Sequence, residues 1–236
     1  DLPTDYLATP RGYRADEILR SCVHCGFCNA TCPTFQVLND ELDGPRGRIY
    51  LIKDMLESAT VNSVARTHLD RCLTCRACET ACPSGVRYGE LLEIGRDFIE
   101  KAKGRSLVSR LVRAWLTRVV ASPPKLRRWL RIGWVFRAIA PRRLRLMMAR
   151  PAAREETADS GNVILLQGCV QRVMTPEVNR HLISLLTKRG VKVRSDEGES
   201  CCGGLALHVG RDEEAYRVMR ENLDVLESPG VDRIAS

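Results

Sequence analysis

A helical first part followed by the opening of an α/β layer is the fold class that the sequence predicts: α plus α/β. Three observations predict it. The first hundred residues read as helices holding two cysteine-rich loops. Residues 105–140 read as two basic amphipathic helices. From residue 162 the pattern changes to strand, helix, strand, loop, helix.

Taken in order, residues 1–20 form an entry arm whose ADEILR segment is a short helix leading into the first cysteine run. Residues 33–47 read as a loop with LDGPRG as its turn signal. RIYLIKDMLES at 48–58 is helical, with Ile49, Ile52 and Leu56 on one face. VARTHLDRC leads into the second run as another short helix, and VRYGELLEIGRDFIEKAK is a helix through Leu91, Leu92, Ile94, Phe98 and Ile99. In RSLVSRLVRAWLTRVV, apolar pairs at 107/108, 111/112, 115/116 and 119/120 give one apolar face with Arg on the other. SPP at 122–124 breaks this helix, KLRRWLRIGWVFRAIA forms the next, and Pro141 ends it. RRLRLMMAR follows, and 149–161 is a linker. NVILLQGC is a buried strand ending in Gly-Cys. TPEVNRHLISLLTKRG is a helix with Thr175 as N-cap, Pro176 in its first turn and Gly190 after its end. VKVRS is a second strand, and RDEEAYRVMRENLDVLES a further helix. The expected domains are therefore 1–103, 104–160 and 161–236.

The 236 residues suffice for one large or two ordinary domains, and the 44% apolar and 28% charged content is that of a soluble globular protein. The longest apolar runs are far too short to span a bilayer, and no secretory signal is visible. The N-terminus lacks Met, so the sequence reads as a piece of a longer chain. Net charge is +8, yet residues 101–150 hold fifteen Lys and Arg and no Asp or Glu. The whole basic excess lies in that stretch.

Eight of the eleven cysteines sit in two runs, SCVHCGFCNATCP and RCLTCRACETACP. Both read C-x2-C-x2-C-x3-C-P, an internal repeat of one ligand unit. Thiols two residues apart are poorly placed to pair with each other and well placed to converge on a metal. A reducing cytoplasm with metal ligation fits better than a disulfide scaffold. The spacing matches that of bacterial two-cluster ferredoxins, in which the fourth cysteine ligates the other cluster. Three cysteines at this spacing wrap three corners of an iron–sulfur cube, and the fourth points away. The expectation is crossed ligation of two [4Fe–4S] clusters. The first takes Cys22, Cys25, Cys28 and Cys82; the second takes Cys72, Cys75, Cys78 and Cys32. Two zinc sites would use the same side chains, but more usually show two C-x2-C pairs per site and no proline. Pro33 and Pro83 suit helix starts. His24 and His68 lie near the runs and read as packing or hydrogen-bonding residues rather than ligands. The helical stretch between the runs resembles the α-helical ferredoxin domain of dehydrogenase iron–sulfur subunits.

Cys169 is separated by 31 residues from Cys201-Cys202-Gly203. The bland reading is buried small side chains. The spacing also resembles the first half of the CCG, or cysteine-rich, domain. The chain ends 33 residues after Gly203, close to where that domain's closing C-x2-C would fall. In that family such cysteines hold a further iron–sulfur centre in some members and act as redox thiols in others. Cys169, Cys201 and Cys202 are accordingly redox or metal residues, with both choices open.

A helical two-cluster ferredoxin domain, a basic helical linker and a CCG domain, in that order, resemble the iron–sulfur subunits of glycolate oxidases. CVHCGFCNATCPTF, DGPRGRIYLIKDM and CLTCRACETACPSGVRYGELLE carry the resemblance. Iron–sulfur subunits of anaerobic glycerol-3-phosphate dehydrogenase and heterodisulfide-reductase-like proteins are the alternatives. The resemblance implies an electron-transfer subunit of an oxidoreductase complex. A partner subunit with FAD would oxidise glycolate to glyoxylate, and this chain would pass electrons towards quinone or another acceptor. No catalytic residue for the carbon chemistry is expected here, since no Gly-rich dinucleotide fingerprint follows a strand.

The basic segment has three readings. It is a solvated face on packed helices, a docking surface for acidic partner subunits, or an attachment to the anionic inner leaflet. Trp115, Trp129 and Trp134 all fall in it and suit either kind of interface. The expected location is cytoplasmic, with peripheral contact at the inner membrane face under the third reading. Nucleic acid is not an expected partner, for lack of any recognised binding module.

Overall fold

The computed structural model describes residues 2–102, 105–138, 141, 142, 145, 161, 163–194, 201–227 and 233–235. The chain divides into two compact units, 1–106 with 207–212, and 107–206 with 213–236.

The first unit is helical. Its entry arm holds α1 (Thr4–Leu7) and α2 (Pro10–Ser21). The Thr9 hydroxyl caps α2 by accepting from the Gly12 N–H at 3.0 Å, and Pro10 supplies the first turn. The helix expected at ADEILR is thus the second half of a longer one. α3 (Phe27–Ala30) is a single turn inside the first cysteine run.

Residues 33–47 depart from the loop expected there. They hold α4 (Pro33–Leu38), a 3-10 turn at Glu41–Asp43 and the start of α5 (Pro45–Ser58). Pro33 and Pro45 each preset the first helical φ, and the Asp40 carboxylate accepts from the Leu42 N–H at 2.9 Å. These local start signals outweigh the Gly-Pro turn signal, and Gly44 serves as the cap residue before α5. Gly47 lets α5 lie against the 3-10 turn. A Cβ there would run into the Glu41 carbonyl oxygen and stand 2.8 Å from Leu42 Cα. Gly47→Ala is expected to cost about 1–3 kcal/mol, read as a lower urea midpoint. An unchanged midpoint would mean that the turn gives way without cost.

Asn62 caps α6 (Ser63–Asp70), its side-chain oxygen accepting from the Ala65 N–H at 2.7 Å. α7 (Ala77–Thr80) is the one-turn helix of the second run, and α8 (Tyr88–Lys101) follows. Helical spacing places Leu91, Leu92 and Ile99 of α8 against Ile52 and Met55 of α5, Leu69 of α6 and Ile18 of α2. Each such fully buried aliphatic side chain contributes about 1.5–3 kcal/mol. Arg14 ties α2 to α8 through Glu90 at 2.8 Å. Arg105 belongs to the basic segment, yet it is only 5% exposed and is spent on Asp70 at 2.7 Å and Glu100 at 2.9 Å.

In the second unit, α9 (Leu107–Val120) and α10 (Pro123–Val135) pack on each other, and a 3-10 turn covers Phe136–Ala138. Trp115 and Trp129 meet edge to face, with ring centres 5.0 Å apart. Arg137 lies over the Trp134 ring at 4.6 Å. Two of the three tryptophans therefore hold one helix to the other. The linker expected at 149–161 lies, apart from Gly161, outside the described residues, as does most of RRLRLMMAR.

β1 (Val163–Leu165) is the middle strand of a parallel sheet ordered β2-β1-β3, with β2 at Val193–Arg194 and β3 at Arg233–Ala235. Val163 pairs with Val193 on one side and Arg233 on the other. The strand is shorter than the expected NVILLQGC, because Leu166 to Cys169 leave the ladder. Helix Pro176–Lys188 crosses from β1 to β2, and helices Gly204–His208 and Asp212–Leu226 precede β3. No helix among the described residues is long and apolar enough to cross a membrane.

Candidate metal centre

The two cysteine runs fold alike, and the backbone shows why the spacing recurs. In the first, His24 and Gly26 adopt positive φ, at 53° and 84°. In the second, Thr74 and Arg76 at the equivalent positions do the same, at 56° and 57°. Left-handed residues between successive cysteines curl the chain so that thiols point inward rather than alternate sides. Three of the four are not glycine, a strain that such sites characteristically carry. Each loop then closes with matching hydrogen bonds. Asn29 N–H donates to the Gly26 carbonyl at 3.0 Å, and Glu79 N–H to that of Arg76 at 2.9 Å. Cys32 N–H reaches Asn29 and Cys82 N–H reaches Glu79, both at 3.2 Å. The runs diverge at their prolines. Pro33 starts α4 as expected, but Pro83 sits in a turn and starts no helix. Gly85, with φ 62°, instead turns the chain so that the Val86 N–H points at Cys82 Sγ from 3.5 Å.

Thr31 joins the two loops, its hydroxyl lying 3.2 Å from the Ala77 carbonyl oxygen. Between them lie two recesses. The first, with about 420 Å³ of empty space partly open to solvent, is lined by Cys22, Cys25, Cys28 and Cys82, and touched by Cys78. The second, of about 290 Å³, is lined by Cys32, Cys72, Cys75 and Cys78. The fourth cysteine of each run thus faces the recess built by the other run. Pro45 and Tyr88 stand between the two recesses and line both. Cys25 and Cys75 are exposed, whereas Cys32 and Cys78 are buried.

Each recess gathers at least four thiols, with His24 and Ser84 also lining the first and Thr34 the second, and this sulfur-rich set suits iron–sulfur clusters or zinc and not hard oxygen-seeking cations. Burial pushes the Cys22, Cys28 and Cys78 thiols up, the last to about 12. Metal binding here must therefore displace protons. Burial, with Cys72 nearby, pushes the Tyr88 hydroxyl well above its ordinary value. It stays a donor, 3.6 Å from Cys72 Sγ.

Sequence reasoning missed a buried polar group beside the second recess. Arg48 and Asp43 are fully buried. Arg48 donates from Nε to the His68 carbonyl at 2.8 Å and from Nη2 to Thr34 Oγ1 at 3.0 Å and Asp43 Oδ1 at 3.4 Å. Its Nη1 lies 3.9 Å from Cys32 Sγ. Asp43 also takes Arg71 at 2.9 Å, and His68 Nδ1 stands 3.0 Å from its carboxylate. Burial pushes the Asp43 carboxyl up, but His68 and Arg71 more than offset this and hold it below the usual range. The signal was present in the sequence, since Arg48 falls four residues before Ile52 on the apolar face of α5. His24 stacks on Tyr50 with ring centres 4.3 Å apart, a packing role, and its Nδ1 lies 3.7 Å from Cys22 Sγ.

In the second unit Cys169 follows β1, and Cys201 lies beside it with the two sulfurs 3.7 Å apart. Cys202 is exposed. The hydrogen bond from Cys201 brings the Cys169 thiol down to about 7 and pushes that of Cys201 up. Asn222 Nδ2 donates to the Cys201 carbonyl at 3.0 Å, fixing the loop.

Residues 18–86 match the family model of the 4Fe-4S dicluster domain, and residues 163–236 that of the cysteine-rich domain. The chain joins a 4Fe-4S dicluster domain to a cysteine-rich domain. Dicluster domains bind iron–sulfur clusters, and the thiol-rich recesses suit that cofactor. The chain is 44% identical over 218 residues to the glycolate oxidase iron–sulfur subunit of Escherichia coli (strain K12), covering 91% of this chain and 54% of that protein. It is 29% identical over 248 residues to the probable glycolate oxidase iron–sulfur subunit of Bacillus subtilis (strain 168), covering 92% and 56%. More distantly, it is 24% identical over 243 residues to a subunit of the dihydromethanophenazine:CoB--CoM heterodisulfide reductase of Methanosarcina mazei, covering 92% and 54%. The chain spans about half the length of these curated relatives. No solved structure matches it.

Proposed function

We propose that this chain is the electron-relay part of a glycolate oxidase, carrying electrons from an FAD-containing partner subunit towards quinone. The observation that carries this reading is the pairing of thiols across the two runs. Cys22, Cys25, Cys28 and Cys82 would hold one [4Fe–4S] cluster, and Cys32, Cys72, Cys75 and Cys78 the other. Such clusters supply one-electron transfer at potentials set by charge, hydrogen bonds to sulfur and burial.

The chain's own residues hold and tune. The curled loops place three thiols each, and Pro45 and Tyr88 keep the two sets apart while leaving them adjacent. The Val86 N–H and the Tyr88 hydroxyl aim at ligand sulfurs. No residue of the first unit is needed for carbon oxidation, which falls to the partner. The 44% identity to a glycolate oxidase subunit favours glycolate over other 2-hydroxy acids. The Cys169–Cys201 pair would serve as a further metal site or as redox thiols.

The test is glycolate-dependent quinone reduction by the complex assembled with this subunit. Activity that needs the subunit and is lost in Cys25→Ser is the expected result. A complex that reduces quinone equally well without the subunit would reject the relay role.

A further inference from the structure

The two recesses differ in the charge set against them. Beside the first, Arg46 is partly exposed and its guanidinium is spent on Glu41 at 2.6 Å. Beside the second, Arg48 is fully buried and aims Nη1 at Cys32 Sγ. Its counter-ion is shared, because the Asp43 carboxylate also binds Arg71 at 2.9 Å. The uncharged Thr34 hydroxyl stands 3.2 Å from Cys32 Sγ, donates to the Asp43 carbonyl at 2.8 Å and accepts from Arg48. The charged donor at that sulfur is therefore Arg48. Tyr88 adds a second donor at Cys72, in the same recess.

We infer that Arg48 sets the order of the two clusters, raising the reduction potential of the one held by Cys32, Cys72, Cys75 and Cys78 above that of the other. The inference rests on the two-cluster reading above. Reduction adds one negative charge to a cluster. A buried cation with a half-committed counter-ion stabilises that charge more than an exposed, neutralised one, since the medium around it screens less. One electron passing from the first cluster to the second then runs downhill, oxidising the first and reducing the second, with no proton moved.

The experiment is a redox titration of the anaerobically reconstituted chain, followed by electron paramagnetic resonance. Two midpoint potentials are expected, the higher missing from Cys75→Ser and the lower missing from Cys25→Ser. Arg48→Gln should lower the higher potential alone, and Arg48→Lys should recover part of the shift. The inference is overturned if the higher potential belongs to the Cys25 set, or if Arg48→Gln moves both potentials or neither. Should Arg48→Gln not fold, the assignment from the two cysteine variants decides alone. A wild-type chain that holds zinc, or well under about eight iron atoms, would instead reject the two-cluster reading itself.

Discussion

Cys25→Ser is expected to fold normally and to hold about half the iron and acid-labile sulfide of the wild type, as is Cys75→Ser, each having lost one of two cubes. Both side chains are exposed, so the substitution disturbs ligation and not packing. A serine hydroxyl is a poor replacement, because the soft thiolate is what the iron–sulfur unit selects. Cys78 touches the first recess as well as lining the second, but it cannot serve both clusters at once. Cys201→Ser should leave both N-terminal clusters in place, since Cys201 lies in the other unit. Iron and sulfide analysis with electron paramagnetic resonance reads all three variants. Loss of both clusters from Cys25→Ser would mean that the two recesses form one cooperative site rather than two.

Asp43→Ala is expected to destabilise the chain by about 3–5 kcal/mol, the cost of stranding a buried charge. The carboxylate is fully buried and faces Arg48, Arg71 and His68 together. Removing it leaves the Arg48 guanidinium in the interior with no anion. Arg71 touches the same carboxylate from a half-exposed position, so Arg71→Ala should cost only about 0–1 kcal/mol. Urea unfolding of the two variants side by side separates the cases. Equal and small losses would mean that water reaches Asp43 and that the group is not the closed network described here. The network joins residues from α4, the 3-10 turn, α5 and the end of α6, and its Thr34 and Arg48 line the second recess. Its loss should therefore also loosen the loop that carries Cys72.

That the two cysteine runs fold alike was legible in their spacing, because the left-handed turns between successive thiols are local and repeated. The amphipathic helices α5, α8, α9 and α10 were legible for the same reason, each carrying its apolar stripe in its own sequence. Residues 33–47 were not, because Asp40 and Pro45 act as start signals over only a few residues, and the LDGPRG segment that holds Pro45 was read as a turn. Pro83 misled in the opposite direction. It copies Pro33 in sequence, yet Gly85 two residues later bends the chain into a turn. The Arg48–Asp43 group lay beyond reach as a unit, since its members come from four segments that only tertiary packing brings together. Arg48 by itself left a trace, as a cation on an apolar helix face. Tyr88 left none, because its hydroxyl gains its role only from where α8 ends up relative to Cys72. The tryptophans of the basic segment read equally well as a membrane or a protein interface. The contact between Trp115 and Trp129 sets two of them against each other across the helix pair, while both stay partly exposed.

The most direct measurement is the resonance spectrum of Cys82→Ser set beside those of Cys25→Ser and Cys75→Ser. Crossed holding of the clusters predicts that Cys82→Ser loses the same signal as Cys25→Ser, although Cys82 belongs to the other run. A spectrum that matches Cys75→Ser instead would contradict the account, because each run would then hold its own cluster.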